Sequence, residues 1–142
     1  MKKTLFVLPG LIFSILVNAQ KLEADKVPDA VKTSFTKQYP GVKATRWELE
    51  DGQYEASYKK NGISMSSNFK PDGAFTESET TITMSDLPTP TKEYLSANYK
   101  GIKIRETSRI TKATGAINYE ASISGKDVIF DAAGKFIKVS KD

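Results

Sequence analysis

Carboxylates are the side chains through which this 142-residue chain could do chemistry, because it contains neither His nor Cys. Without His, the usual general base near neutral pH and the commonest transition-metal ligand are missing. Without Cys, there is no thiolate nucleophile, no disulfide and no cysteine metal site. Ser–His–Asp hydrolysis, Cys–His proteolysis and His-based zinc chemistry are excluded together, so catalysis would have to run on carboxylates, Lys or Tyr. Two carboxylate pairs have the spacing to matter: Glu48 with Glu55 across a turn, and Glu77 with Glu79 two residues apart. Carboxylates held close together cannot both ionise freely; one takes a raised pKa and can hold a cation or act as a general acid. None of the Asp-Gly segments has the alternating carboxylates of a calcium loop, so they read as turns. No catalytic residue, metal ligand or cofactor is implied.

These pairs depend on the hairpins that carry them. Asp51-Gly52 and Asn61-Gly62 are the strongest short hairpin signals, and Pro71-Asp72-Gly73 marks a third turn. With two-residue loops, Leu49 faces Tyr54, Trp47 faces Ala56, Thr45 faces Tyr58, Tyr58 faces Met65 and Tyr54 faces Phe69. Side chains alternate along a strand, so all of these share one apolar face. The other face collects Arg46, Glu48, Glu55, Ser57, Ser64, Ser66 and Asn68, a candidate interaction surface on which Glu48 and Glu55 stand directly opposite. That placement is unfavourable, and would be relieved by a bound cation or a basic partner. The plainer reading is screening by Arg46 and Lys59 in water. Glu77 and Glu79 share parity with Phe75, so an unbroken strand would turn them toward the apolar face; a β-bulge after Gly73, or placement beyond the helix edge, would resolve the conflict. Trp47, Tyr54, Tyr58 and Phe69 could form a recognition platform, but a helix needing an apolar partner is expected to bury them.

The chain is written twice. Val27-Pro28 recurs as Leu87-Pro88, and Phe35, Tyr39 and Gly41 recur as Leu95, Tyr99 and Gly101, each sixty positions on. Tyr54-Glu55-Ala56 returns as Tyr119-Glu120-Ala121, sixty-five on, and Phe69, Gly73 and Phe75 return as Phe130, Gly134 and Phe136, sixty-one on. Offsets change only in turns, where insertions cost little. Each unit opens with a helix: Val27, Val31, Phe35 and Tyr39 form an i, i+4 stripe, Pro28 and Pro88 suit a first turn, and Asp25 or Asp86 can cap it. Strands in the second unit are predicted over 102–110, 117–123, 127–131 and 135–139. The fold class is α+β: two tandem helix-plus-four-stranded antiparallel meander repeats, about 27–86 and 87–142, with the helices packed on one face of the sheet. Pattern does not decide whether the meanders join into one sheet.

Residues 1–19 read as a signal peptide: Lys2 and Lys3, an apolar run from Leu5 to Val17, then Val17-Asn18-Ala19 with cleavage after Ala19. The run of about thirteen residues is too short to cross a bilayer, which needs roughly twenty. The expected mature chain, 20–142, has no transmembrane segment and lies in the periplasm or outside the cell. The 21 basic and 17 acidic residues give +4, and setting aside Lys2 and Lys3 leaves about +2. Basic residues alternate with acids, so nucleic acid is not an expected partner.

The run Val27-Pro28-Asp29-Ala30-Val31-Lys32, then Phe35, Tyr39-Pro40-Gly41, Trp47-Glu48 and Asp51-Gly52-Gln53-Tyr54-Glu55-Ala56, resembles the PepSY-like, β-lactamase-inhibitor-like family of periplasmic proteins. Asp72-Gly73, Phe75, Glu77, Glu79, Leu87-Pro88, Tyr119-Glu120 and Phe130-Asp131 extend the match over nearly the whole mature chain. The resemblance implies a small exported protein of Bacteroidetes-type bacteria, of tandem helix-plus-four-strand repeats and without established enzymatic activity. Its inhibitor-like label concerns fold and does not imply β-lactamase inhibition. Thr107 stands where the second unit would repeat Trp47, so a Trp-dependent site exists once.

The leading expectation is an exported, non-catalytic binding module, inhibitor-like in fold, whose partner is another envelope protein or peptide. A carboxylate-based enzyme or cation-binding protein using Glu77 and Glu79 is the alternative. A third reading is an envelope structural or stress protein without a discrete ligand. Partner identity and oligomeric state do not follow from the residues.

Overall fold

The computed structural model describes residues 19–141, so the expected signal peptide lies outside the described residues apart from Ala19. Nine strands form one sheet in which every neighbour is antiparallel and spatial order follows chain order. The meanders thus join, and a short strand precedes them. The elements run β1 (Gln20–Leu22), α1 (Asp29–Gln38), β2 (Ala44–Glu50), β3 (Gln53–Lys60), β4 (Ile63–Phe69), β5 (Phe75–Ile82), α2 (Thr89–Asn98), β6 (Glu106–Lys112), β7 (Ile117–Ile123), β8 (Lys126–Phe130) and β9 (Phe136–Lys141). β1 was not foreseen, since its three residues carry no alternation; it pairs Lys21 with Glu48 and Leu22 with Trp47.

Turn chemistry sets the register. Asp51 and Gly52 sit at φ +48° and +73°, Asn61 and Gly62 at +52° and +79°, the two successive positive values that a two-residue type I′ hairpin needs. Leu49 therefore pairs with Tyr54, Trp47 with Ala56, Tyr58 with Met65 and Tyr54 with Phe69, as expected. Thr45 does not face Tyr58. A bulge in β2 puts Ala44 there, and Thr45 Oγ1 donates instead to the Ser57 carbonyl at 3.0 Å. β6 also starts later than the predicted 102–110: its β5 partner ends at Ile82, opposite Thr107, so the residues before 106 have little strand to pair with.

The helices begin differently from expectation. Asp25 and Asp86 cap neither one; both lie in 3-10 turns (Ala24–Lys26 and Met84–Asp86) that precede an extended Val27-Pro28 or Leu87-Pro88. Pro28 and Pro88 are themselves the N-caps, without a side-chain cap bond. Asp86 serves its own turn, in a reciprocal capping box with Thr83.

Buried apolar residues gather in two clusters. Val27, Val31, Phe35 and Tyr39 are buried together with Trp47, Ala56, Tyr58 and Phe69. The Phe35 ring lies 5.5 Å from Trp47 and 5.2 Å from Tyr58, both edge-on, so these aromatics are core and not a recognition platform. Leu87 and Leu95 are buried with Ala121, Ile123, Val128 and Phe130. The first cluster contains a polar knot: the Tyr39 and Tyr58 hydroxyls lie 2.8 and 2.9 Å from Ser67 Oγ, all three residues buried. In the second cluster Ile123 and Val128 stand where the first has Tyr58 and Ser67, while Tyr99 stands where it has Tyr39, so the three-hydroxyl knot is not repeated. Ser67→Ala removes the shared hydroxyl and should cost about 1–2 kcal/mol in urea unfolding; an unchanged midpoint would show that the two tyrosines satisfy each other.

Candidate functional site

The face of the sheet opposite the aromatic core carries the carboxylates. Glu48 and Glu55 are cross-strand partners, and Arg46 forms an ion pair with Glu48 on the same strand. Arg46 pairs with Ser57, Ser57 with Ser66, and Glu55 with Asn68, so these proposed surface residues occupy adjoining positions on β2, β3 and β4; Ser64 follows one step on, opposite Lys59. Burial raises the Glu55 pKa above the usual carboxylate range, and the charges of Glu48 and Glu50 add to it; a hydrogen bond with Ser66 and the nearby Arg46 oppose the rise.

Glu77 and Glu79 reach this face through a bulge at Thr76. Phe69 pairs with Phe75 while Asn68 pairs with Glu77, leaving Thr76 as the extra residue. Its hydroxyl lies 2.7 Å from Gln53 Oε1 and 3.1 Å from the Asn68 carbonyl. Phe75 can thus pack in the core while both glutamates lie on the other side, which resolves the parity conflict. A matching register shift separates Phe136 from Lys138 in β9.

The two glutamates have different partners. Glu77 forms an ion pair with Lys112 and accepts a hydrogen bond from Asn68 Nδ2 at 3.4 Å. Glu79 faces Ile110 across β5 and β6, and Ile110 is buried. Burial pushes the Glu79 pKa up to about 6, helped by the charges of Glu55, Glu106 and Asp127 and opposed by a Ser108 hydrogen bond.

The most displaced carboxyl is one that spacing alone did not single out. Glu120 of β7 lies opposite Ser108 on one side and buried Ile129 on the other. Burial, and then the charges of Glu79, Asp127 and Glu106, raise its pKa to about 8. The leading charge on Glu120 is therefore that of Glu79, two strands away. A signal did exist: Glu120 is the repeat of Glu55. Using it required knowing that β5 and β6 pair, which no local pattern states.

Glu48, Glu50, Glu55, Glu79, Glu106, Glu120 and Asp127 line one basin of about 640 Å³, with Arg46 and Lys141 as its cations. Seven acidic side chains against two basic ones make it strongly negative within a chain of formal charge +4. The acids are spread over six strands, and among the described residues no group of three or more is arranged to hold a metal ion. Among the same residues no helix is long and apolar enough to cross a membrane.

Residues 15–70 and 60–138 each match the family model described as "Putative beta-lactamase-inhibitor-like, PepSY-like". No curated protein matches. Among solved structures, a "putative periplasmic" protein of Bacteroides eggerthii is similar with a TM-score of 0.70 and 16% identity, over 81% of this chain and 88% of that one. A DUF2874 family protein of Bacteroides uniformis gives 0.69 and 17%, over 80% and 88%. A BLIP-like protein of Bacteroides fragilis gives 0.62 and 18%, over 80% and 86%. At such identities the likeness is one of fold.

Proposed function

Since this chain belongs to the PepSY-like, β-lactamase-inhibitor-like family, we propose that it is an exported, non-catalytic module that docks a basic envelope protein or peptide on the open face of its sheet. In this reading residues 1–19 are removed on export, and 20–142 form one periplasmic domain of two tandem units. α1 and α2 cover the apolar face; matching bulges at Thr76 and Ile137 and the parallel make-up of the two cores support the repeat.

The observation that carries the proposal is the basin of seven carboxylates, drawn from both units. Three of them are held above their ordinary pKa by burial and mutual repulsion, a cost that a cationic partner would relieve. The BLIP-like description of the Bacteroides fragilis protein favours a protein ligand. A carboxylate enzyme built on Glu77 and Glu79 is disfavoured, because Lys112 already neutralises Glu77.

The test compares two charge reversals. The partner recovered from envelope extract should bind the purified protein in a salt-sensitive way. Glu106→Lys on the open face should weaken it by about tenfold, and Lys37→Glu on exposed α1 should leave it unchanged. Weakening by Lys37→Glu with none by Glu106→Lys would place binding on the helical side and end the proposal.

A further inference from the structure

The acidic basin does not end at the carboxylates. It shares Glu55, Glu79 and Glu106 with a second hollow of about 300 Å³, which in turn shares Ser64, Thr81 and Glu106 with a third of about 470 Å³. The third lies where the chain leaves β5 and returns to β6; Met84 lines it together with Ile82 and Ile104, both partly buried against the second core cluster, beside the polar Ser64, Thr81 and Thr107. Met84 is 41% exposed and so open to a contact from outside. Glu106 belongs to all three hollows, and Thr81 Oγ1 donates to its Oε1 at 2.6 Å, which fixes the carboxylate at the junction of the acidic and apolar zones. Arg105 also lines this hollow, and its charge disfavours a basic side chain there.

Resting on the reading of the open face as a docking surface, we infer that its occupant is an extended cationic segment of a partner protein carrying one large apolar side chain. The apolar side chain seats against Ile82, Met84 and Ile104, and the adjoining basic residues lie over Glu106 and Glu79. Charge complementarity selects the cations. The hollow selects the anchor, because burying a leucine-sized side chain that alanine cannot replace gives preference without any change in charge.

The test uses three fluorescein-labelled synthetic peptides that alternate lysine with serine and end in leucine, the same with the leucine replaced by alanine, and the leucine peptide with every lysine replaced by glutamate. Fluorescence anisotropy is read with the purified protein and with Met84→Ser and Glu106→Gln. The lysine–leucine peptide should bind about tenfold tighter than its alanine counterpart, and Met84→Ser should erase most of that ratio. Glu106→Gln should weaken both lysine peptides alike. Equal binding of the leucine and alanine peptides, or a leucine preference that survives Met84→Ser, overturns the inference and leaves the broader reading standing. Lysine peptides that bind no better than the glutamate peptide overturn both.

Discussion

Replacing Glu120 by Gln is expected to stabilise the protein by about 2–4 kcal/mol at pH 8.5 and to change little near pH 4. The carboxyl has a pKa of about 8 in the folded chain against the ordinary 4.5. The folded state therefore keeps a proton that the unfolded state has already lost. Stability falls as pH rises from about 4.5 to about 8, then levels off once both states are ionised. Gln is neutral throughout, so it cancels the fall. Glu79, whose own raised pKa of about 6 comes from burial and from the charges of Glu55, Glu106 and Asp127, adds a smaller fall between about 4.5 and 6 in both proteins. Urea unfolding of both proteins at pH 4 and pH 8.5 reads the effect. A gain of the same size at both pH values would mean that Gln packs better, and that no ionisation cost exists. The cause is local: Ile129 opposite Glu120 and Ile110 opposite Glu79 take water away from the carboxyls, and the neighbouring acids forbid easy ionisation.

Alanine at Gly73 or Gly134 should cost about 2–4 kcal/mol each, whereas alanine at Gly115 should cost about 1. All three have φ between +82° and +85°, so the backbone penalty is common to them. The surroundings differ. A Cβ on Gly73 would meet the Ala30 carbonyl oxygen at 2.6 Å, and one on Gly134 would meet Pro88 Cβ at 2.7 Å and Thr91 Oγ1 at 2.8 Å. At Gly115 nothing lies within 4 Å. The β4–β5 and β8–β9 turns thus touch α1 and the start of α2 at the one residue type that lets backbone approach so closely. Thr91 Oγ1 donates to the Gly134 carbonyl at 3.1 Å, tying the second contact. Equal urea midpoints for Gly73→Ala and Gly115→Ala would show that the contact is loose.

The same contacts explain which parts of the fold were legible. Asp51-Gly52 and Asn61-Gly62 demand a local backbone shape that few residues adopt, so pairing across those hairpins could be written down from four residues. Trp47, Ala56, Tyr58 and Phe69 then fell on one face through the two-residue period of a strand. Thr45 broke this arithmetic because a bulge leaves the sequence looking regular while shifting parity. Thr76 did the reverse: the conflict between Phe75 and the two glutamates showed that something had to give, a bulge or a strand running past the helix edge, and the register shift at Thr76 is the bulge. Asp25 and Asp86 misled because an acidic residue before a helix looks the same whether it caps that helix or sits in a separate 3-10 turn.

Residue types and short-range spacing by themselves determined the absence of His and Cys chemistry, the α+β class, the hairpin register of the first unit, the family resemblance and the sorting of its strands into apolar and polar faces. All of these depend on interactions within a hairpin or a helical turn, so a local pattern carries them. Only the tertiary structure decided that β5 pairs with β6 to make one sheet. That pairing brings Glu120, Glu106 and Asp127 beside Glu79 and Glu55, gives Lys112 to Glu77, and turns separate acids into one basin. Electrostatic coupling depends on distance through space and on the loss of water around each charge, and neither is visible in the order of residues along a chain.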